Sequence, residues 1–574
     1  MQTKLFFTLT LIVAVVLCAA NVRAQQTNAA AENKEAADAA LREKAFGLLK
    51  SLAGELGTLQ SPENRARIGS NIAESLWSND ENRARELFAR VQEDLNLGLQ
   101  GSTSQAPDDM KTLMVFVKLR ADTIERIAKH DPEFAYEFFK ATALSSGVTL
   151  PSYVWQSINS LEAHLAKQLS ATNPNLSVDL ARKMLARGNY DDLRVLLRRL
   201  NTKHKAQATV LYKEIVGKLA DADLVEDWNA RNFALSLANS FGPPKVDEAT
   251  FKELVNLFTK AVTQNGCLKN LNNENEWTDA CRVLAPAISL IARVDPSRGR
   301  NLQRWAERSE YYSPENPHYE LNELLNDGSV DEMLALIEQY PQMEFNIRFR
   351  AVQKAQRDGD PERARKILEE YTSDPVRQRA LVEQLDRMQH RESITNEQLE
   401  EIQKRVSEFR DPRRQVQYLL AGANLVGDND RKTVMKLLNQ AAEVITTMKP
   451  GKDQTAGQIF LAMMYCYQKD NRGLAIMETL MPKLNELVAS ASRLDGYDTR
   501  YLREGEWNMT AEGELGSLLT SLAGHAGHFA WFDFDRAVSL AGQFERPEIR
   551  MMAQLKLAQG ILAGPPKRME FAEY

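Results

Sequence analysis

The chain has 574 residues, with 72 Lys and Arg against 78 Asp and Glu, 7 His, 4 Cys and 7% aromatic residues. Its formal net charge of −6 is spread along the length, which argues against a general nucleic-acid binder, because such a protein carries a basic surplus to meet the phosphates. Length alone suggests more than one ordinary domain, although a helical stack can run on without domain limits, since each unit contacts only its neighbours.

At the N-terminus, Lys4 precedes an apolar stretch from Leu5 to Leu17, and Val22-Arg23-Ala24 makes a small-x-small cleavage site. The stretch is shorter than the about 20 apolar residues that span a bilayer. Residues 1–24 are therefore expected to be a signal peptide cleaved before Gln25, with an uncleaved anchor as the alternative. Cys18 follows Leu17, where a lipoprotein signal would place Gly or Ala. Cleavage leaves 70 basic against 78 acidic residues, a net charge of −8, and a chain expected in the periplasm or outside the cell. Charged residues interrupt every later apolar run, so no transmembrane span is expected in the mature chain.

Residues 25–40 are rich in Ala, Gln and Asn and read as a loose leader, merging into a first helix near Leu41. Ser61-Pro62 reads as a capping serine with proline in the first turn, ahead of Ile68, Ile72 and Leu76. Further on, Val416, Leu419, Leu420 and Ala423, then Val434, Leu437, Leu438, Ala441 and Ile445, follow the helical template. So do Met551, Leu555, Ala558 and Leu562. There is no sustained alternating run and no Asn-Gly or Asp-Gly hairpin between β-branched segments. Tyr311-Tyr312-Ser313-Pro314-Glu315-Asn316-Pro317 breaks the helical pattern and is the expected seam between an N-terminal lobe, 41–312, and a C-terminal lobe, 318–564, with a tail over 565–574. A single continuous superhelix is the alternative.

One signal recurs: Asp, three residues, a small or apolar residue, two more, then a large apolar one. It occurs at Asp80-Ala84-Leu87, Asp131-Ala135-Phe138, Asp295-Gly299-Leu302 and Asp360-Ala364-Ile367. Asp430-Val434-Leu437, Asp470-Leu474-Met477 and Asp533-Ala537-Leu540 complete the set. An N-cap Asp accepts hydrogen bonds from the first free amides of a helix and complements the positive end of its dipole. The apolar pair behind it shares one face. Each copy follows another apolar helical stretch, so the unit reads as helix, turn, capped helix. The expected fold is all-α, an irregular α-α hairpin superhelix (a solenoid) of roughly 20 to 26 helices.

This rhythm, with alanine on the inner face, resembles the tetratricopeptide-like α-solenoids over most of residues 60–562. The copies are 51, 164, 65, 70, 40 and 63 residues apart, where a tetratricopeptide array repeats every ~34, and the ordered consensus of that family is absent. The resemblance implies a superhelical fold and protein or peptide binding. It transfers no functional residue.

Several constellations could carry chemistry. His525 and His528, three apart, could face one metal ion, with Asp533 and Asp535 close behind. Two ligands fall short of the usual three or four, and the bland alternative places the histidines along a close helix contact made by Gly524, Ala526 and Gly527. Trp305, Tyr311, Tyr312, His318 and Tyr319 form the candidate ligand surface, with Arg308 and Asn316 nearby. A helical toroid that cleaves acidic polysaccharide by β-elimination would want such groups; ordinary packing of the rings is the alternative. Arg194, Arg198, Arg199, Lys203 and Lys205 make a basic stretch, read as a solvated helix face beside Val195, Leu196 and Leu197.

Cys267 and Cys281 are the candidate disulfide, because an oxidising compartment favours a bridge across their connection, worth roughly 3 kcal/mol on the chain-entropy argument. Two free thiols are the alternative. Cys466 lies in an apolar run and reads as a small buried hydrophobe. No phosphate loop, nucleophile elbow or paired CxxC occurs, and no cofactor is expected. The expectation is a protein- or peptide-binding scaffold of the cell envelope with an unidentified partner. A polysaccharide lyase or hydrolase of the helical-toroid type and a purely structural envelope protein are the alternatives.

Overall fold

The computed structural model describes residues 35–101, 107–144, 152–190, 192–243, 245–264, 284–306, 325, 328–358, 360–371, 378, 396–427, 430–497, 499–510 and 513–566. The expected signal peptide, the disulfide pair Cys267 and Cys281, and Tyr311, Tyr312, His318 and Tyr319 lie outside these residues, as does the expected seam.

The fold is all-α. In chain order the helices are α1 (35–55), α2 (Pro62–Leu76), α3 (Glu81–Gly101), α4 (Pro107–Ala128), α5 (Pro132–Ala141), α6 (Ser152–Thr172), α7 (Pro174–Ala186) and α8 (Leu193–Lys203). Then come α9 (Lys205–Ala220), α10 (Trp228–Ser240), α11 (Glu248–Gln264), α12 (Ile288–Val294), α13 (Pro296–Ala306), α14 (Val330–Gln339), α15 (Glu344–Arg357) and α16 (Pro361–Glu369). The last group is α17 (Asn396–Glu408), α18 (Pro412–Val426), α19 (Arg431–Thr447), α20 (Lys452–Tyr467), α21 (Arg472–Arg493), α22 (Glu514–Gly524), α23 (Ala526–Phe532), α24 (Phe534–Ala541) and α25 (Pro547–Leu562). The number among the described residues falls within the expected range. No helix among them is long and apolar enough to cross a membrane.

Six of the seven expected aspartates cap their helices. The amides of Arg83, Phe134, Arg298, Arg363, Thr433 and Arg536 donate to the carboxylates of Asp80, Asp131, Asp295, Asp360, Asp430 and Asp533 at 2.9–3.1 Å. The apolar residues behind them are buried, as at Ala84, Leu87, Val434 and Leu437. Asp470 sits one residue early: Asn471 is the N-cap, and the Asp470 carboxylate takes the Arg472 amide at 3.0 Å.

Two expectations need correction. Residues 35–40 are already helical, because the Ala-rich run has high helix propensity and belongs to α1 rather than to a leader. Ser61 makes no side-chain cap; instead the carboxylate of Glu506 accepts from the amides of Gln60 (2.6 Å) and Ser61 (3.2 Å) and from Asn64 Nδ2 (3.1 Å). Glu506 lies on a short hairpin, β1 (Leu502–Arg503) paired antiparallel with β2 (Glu506–Trp507). Its turn, Glu504-Gly505, has φ of 51° and 80°, the left-handed pair that a tight hairpin requires.

The chain divides into two compact units that do not follow the expected lobes. The first joins residues 1–126 and 138–148 to 393–574; the second holds 127–137 and 149–392. Within the second unit, α6 packs on α7 and α8, and α7 and α8 both pack on α9, the neighbour-to-neighbour rhythm of a helical repeat. A core around Met333, Ile347, Ala351 and Ala364 binds α14, α15 and α16. Within the first unit, α17 to α21 stack in the same way over Leu419, Leu420, Leu437, Leu438 and Tyr465. In addition α2 packs on α25, from the far end of the sequence. Local patterning carries no information about such a pairing, and a division by sequence position therefore could not find it.

Candidate functional site: a methionine-lined cavity

Helix α22 has the sequence ELGSLLTSLAG, yet only Gly516 is buried. Leu515, Leu518, Leu519 and Leu522 remain half-buried, so the helix has more apolar surface than its neighbours cover. Beneath it lies a cavity of about 790 Å³ within the first unit. Leu474, Met477 and Met481, at i, i+3 and i+7 of α21, form one wall, and Leu540 and Ala541 of α24 extend it. The floor is α25, which presents Ile549, Met552, Lys556 and Gly560 at helical spacing. Met509, after the hairpin, is the fourth methionine on the lining.

The floor is set by a close crossing of α23 and α25. A Cβ on Gly560 would lie 2.4 Å from the Cα of Gly527, so the backbones meet this closely only because residue 560 is glycine. Trp531 Nε1 then donates to the carbonyl of Gly560 at 2.9 Å.

A polar cluster borders one side. Glu63, 2% exposed, accepts from Arg67 Nη2 at 2.9 Å and pairs with Arg503 of the hairpin. Glu548, 1% exposed, accepts from the Trp507 amide at 2.6 Å and from Arg546 at 2.9 Å. These buried carboxylates are each held by a guanidinium or amides, which offsets their desolvation. Arg67 and Trp507 also line the cavity. The Nε of Arg67 is buried and has no hydrogen-bond partner.

On the floor, Lys556 Nζ donates to the neutral Gln559 amide oxygen at 2.9 Å, while Gln559 reaches Ser75 and Asn71 of α2. Burial pushes the Lys556 pKa down; Arg126 adds to this and Glu74 opposes it. Arg126 and Glu74 are themselves an ion pair.

The structure places the residues expected from sequence as follows. His525 and His528 are neighbours, ring centroids 6.0 Å apart, but each packs on an aromatic ring, Phe460 at 5.4 Å and Tyr467 at 6.2 Å. Burial lowers the pKa of both. No group of three or more His, Cys, Asp or Glu side chains that could hold a metal occurs among the described residues, and Asp533 is occupied as a cap. His528 does line the cavity, and its Nε2 is buried without a partner. Trp305 lies at the end of α13, and the rest of its expected aromatic surface is outside the described residues.

The basic stretch runs along α8 into the first residue of α9, with Val195, Leu196 and Leu197 buried and Arg199, Lys203 and Lys205 exposed. Burial pulls the Glu332 carboxyl upward, but bonds from Ser329 and the charges of Arg198 and Arg199 outweigh it and hold the carboxyl below its ordinary value. The stretch thus faces an acid of its own unit. Cys466 is 3% exposed, and burial pushes its thiol up to about 12, so it is inert at neutral pH.

Sequence patterning missed the cavity. Its available signal was the small-residue set Gly516, Gly527 and Gly560 beside Met477, Met481 and Met552, which reads equally well as ordinary helix packing.

No family model matches this chain. No curated protein matches it either. Among solved structures it is similar to one described as a circular tandem repeat protein with novel repeat topology and enhanced subunit contact surfaces, at 13% identity over 91% of this chain and 98% of the other. The TM-score of 0.17 is too low for that likeness to carry an argument.

Proposed function

We propose that this chain is a binding protein of the cell envelope whose recognition site is the methionine-lined cavity of the first unit. The observation that carries the reading is an apolar space of about 790 Å³ beneath a leucine-rich helix whose own leucines stay half-buried. Ligand pockets typically occupy about 300–1,000 Å³ and combine apolar walls with a few convergent polar groups. Four methionines on the lining give it a soft, adaptable surface that can close around an apolar group. The resemblance to tetratricopeptide-like solenoids, which usually bind protein or peptide, supports a binding role, and the cavity among α21, α22 and α25 is the surface proposed for it. Placement in the envelope rests on the leader over residues 1–24.

The test uses the chain from Gln25 onward and the neutral fluorophore N-phenyl-1-naphthylamine. Binding should be saturable, and Ala553→Trp, which fills the cavity from its floor, should abolish it without changing the far-ultraviolet circular dichroism. A probe that does not bind, or that binds the filled variant equally well, overturns the reading.

A further inference from the structure

The cavity has a chemical sign. Its titratable lining residues are Arg67, His528 and Lys556, all bases, and no Asp or Glu lines it among the described residues. These three differ in how far the protein satisfies them. Arg67 has Glu63 at 2.9 Å, although its Nε is left over. Burial favours the neutral form of His528, and its unpartnered Nε2 can offer one hydrogen bond.

Lys556 is different. Its ammonium is bonded to the neutral amide of Gln559, and Glu74, the acid whose charge acts on it, is paired with Arg126. A half-buried cation with no ion pair of its own among the described residues is costly, and an anion brought to it recovers part of that cost. Because one ammonium is uncompensated, one negative charge matches it. Apart from Asn508, Thr520 and Gln559 the remaining lining is mostly apolar, with Met477, Met481 and Met552 on facing helices, so that charge fits best on an apolar chain.

We propose that the cavity takes a long-chain carboxylic acid, its chain among Met477, Met481 and Met552 beneath α22 and its carboxylate on Lys556. This inference rests on the cavity being the binding site.

Calorimetric titration of the chain from Gln25 onward separates the two readings, using dodecanoate, dodecanol and dodecyltrimethylammonium below their micellar concentrations. Dodecanoate should bind about tenfold tighter than dodecanol, the scale of one charge-assisted hydrogen bond, and the cationic amphiphile should bind most weakly. Lys556→Met should bring the affinity ratio of dodecanoate to dodecanol down to about one, whereas Lys556→Arg should retain the preference. Lys556→Met should also leave the free protein at least as stable, since it deletes an uncompensated charge. Equal affinity for dodecanoate and dodecanol, a preference that survives Lys556→Met, or tighter binding of the cation each overturns the carboxylate while leaving the cavity standing. If none of the three binds, and N-phenyl-1-naphthylamine does not bind either, both readings fall.

Discussion

Helices α19 and α22 belong to the same unit and carry similar apolar stripes, yet they end in opposite conditions. In α19, Val434, Leu437, Leu438 and Ala441 are 0% exposed and Ile445 is 3% exposed, so the stripe is consumed by α18 and α20. In α22 four leucines stay half-buried over a cavity. One apolar face was spent on the fold and the other was kept. The difference cannot come from hydrophobic content, because both segments have it; it comes from what lies opposite, a close-packed helix pair or a space floored by Gly560 and Met552.

The sharpest way to break this comparison is to truncate the same side chain in both places. Leu438→Ala should cost about 2–5 kcal/mol, the range for a fully buried leucine that leaves a void. Leu519→Ala should cost less than about 1 kcal/mol, as for a partly exposed site, while weakening uptake of the fluorophore. Denaturant melts of the two variants measure both terms. Equal losses would mean that α22 is packed like α19 and that the cavity is closed in solution.

Next in size is Gly560→Ala, whose methyl meets the Gly527 backbone. It should destabilise by about 1–3 kcal/mol and shift the cavity floor, lowering the melting temperature and the affinity together. A neutral result would separate the glycine crossing from the cavity.

The smallest effect concerns helix entry. Asp430 caps α19, whereas the N-cap of α22, Gly513, makes no side-chain bond. Bonds from Thr433, through its hydroxyl and then its amide, hold the Asp430 carboxyl below its ordinary value of 3.8. A depressed carboxyl contributes stability that is complete above the unfolded value and lost as pH falls through the folded one. Asp430→Ala should therefore melt earlier than the parent at neutral pH, and the gap should close on acidification below 3.8. A gap that persists at low pH would mean the loss is not electrostatic.

Helix class, most helix starts and the buried stripes were legible in the sequence because each is written within a few residues. Asp360 and Ala364 share one turn of chain, and so do Asp533 and Ala537. What was not legible depends on distant partners. The Glu504-Gly505 turn lies outside the common hairpin dipeptides. Ser61 looked like a cap because the carboxylate that displaces it is 445 residues away. The leucines of α22 read as core because no local rule separates a leucine facing another helix from one facing a cavity. His525 and His528 were noticed for metal chemistry, while the more informative base, Lys556, looked like any surface lysine on an amphipathic helix.

The carboxylate of Glu506 at the entrance of α2 also sets an order of events. A ribosome delivers Gln60 and Ser61 hundreds of residues before it delivers Glu506, and α25 later still. Until then the start of α2 lacks its cap, and α2 lacks one of the helices it packs against. Closing so long a loop is entropically expensive and slow. The first unit therefore completes only once Glu506 and α25 have been made, and a chain truncated before Glu506 leaves the start of α2 without its cap.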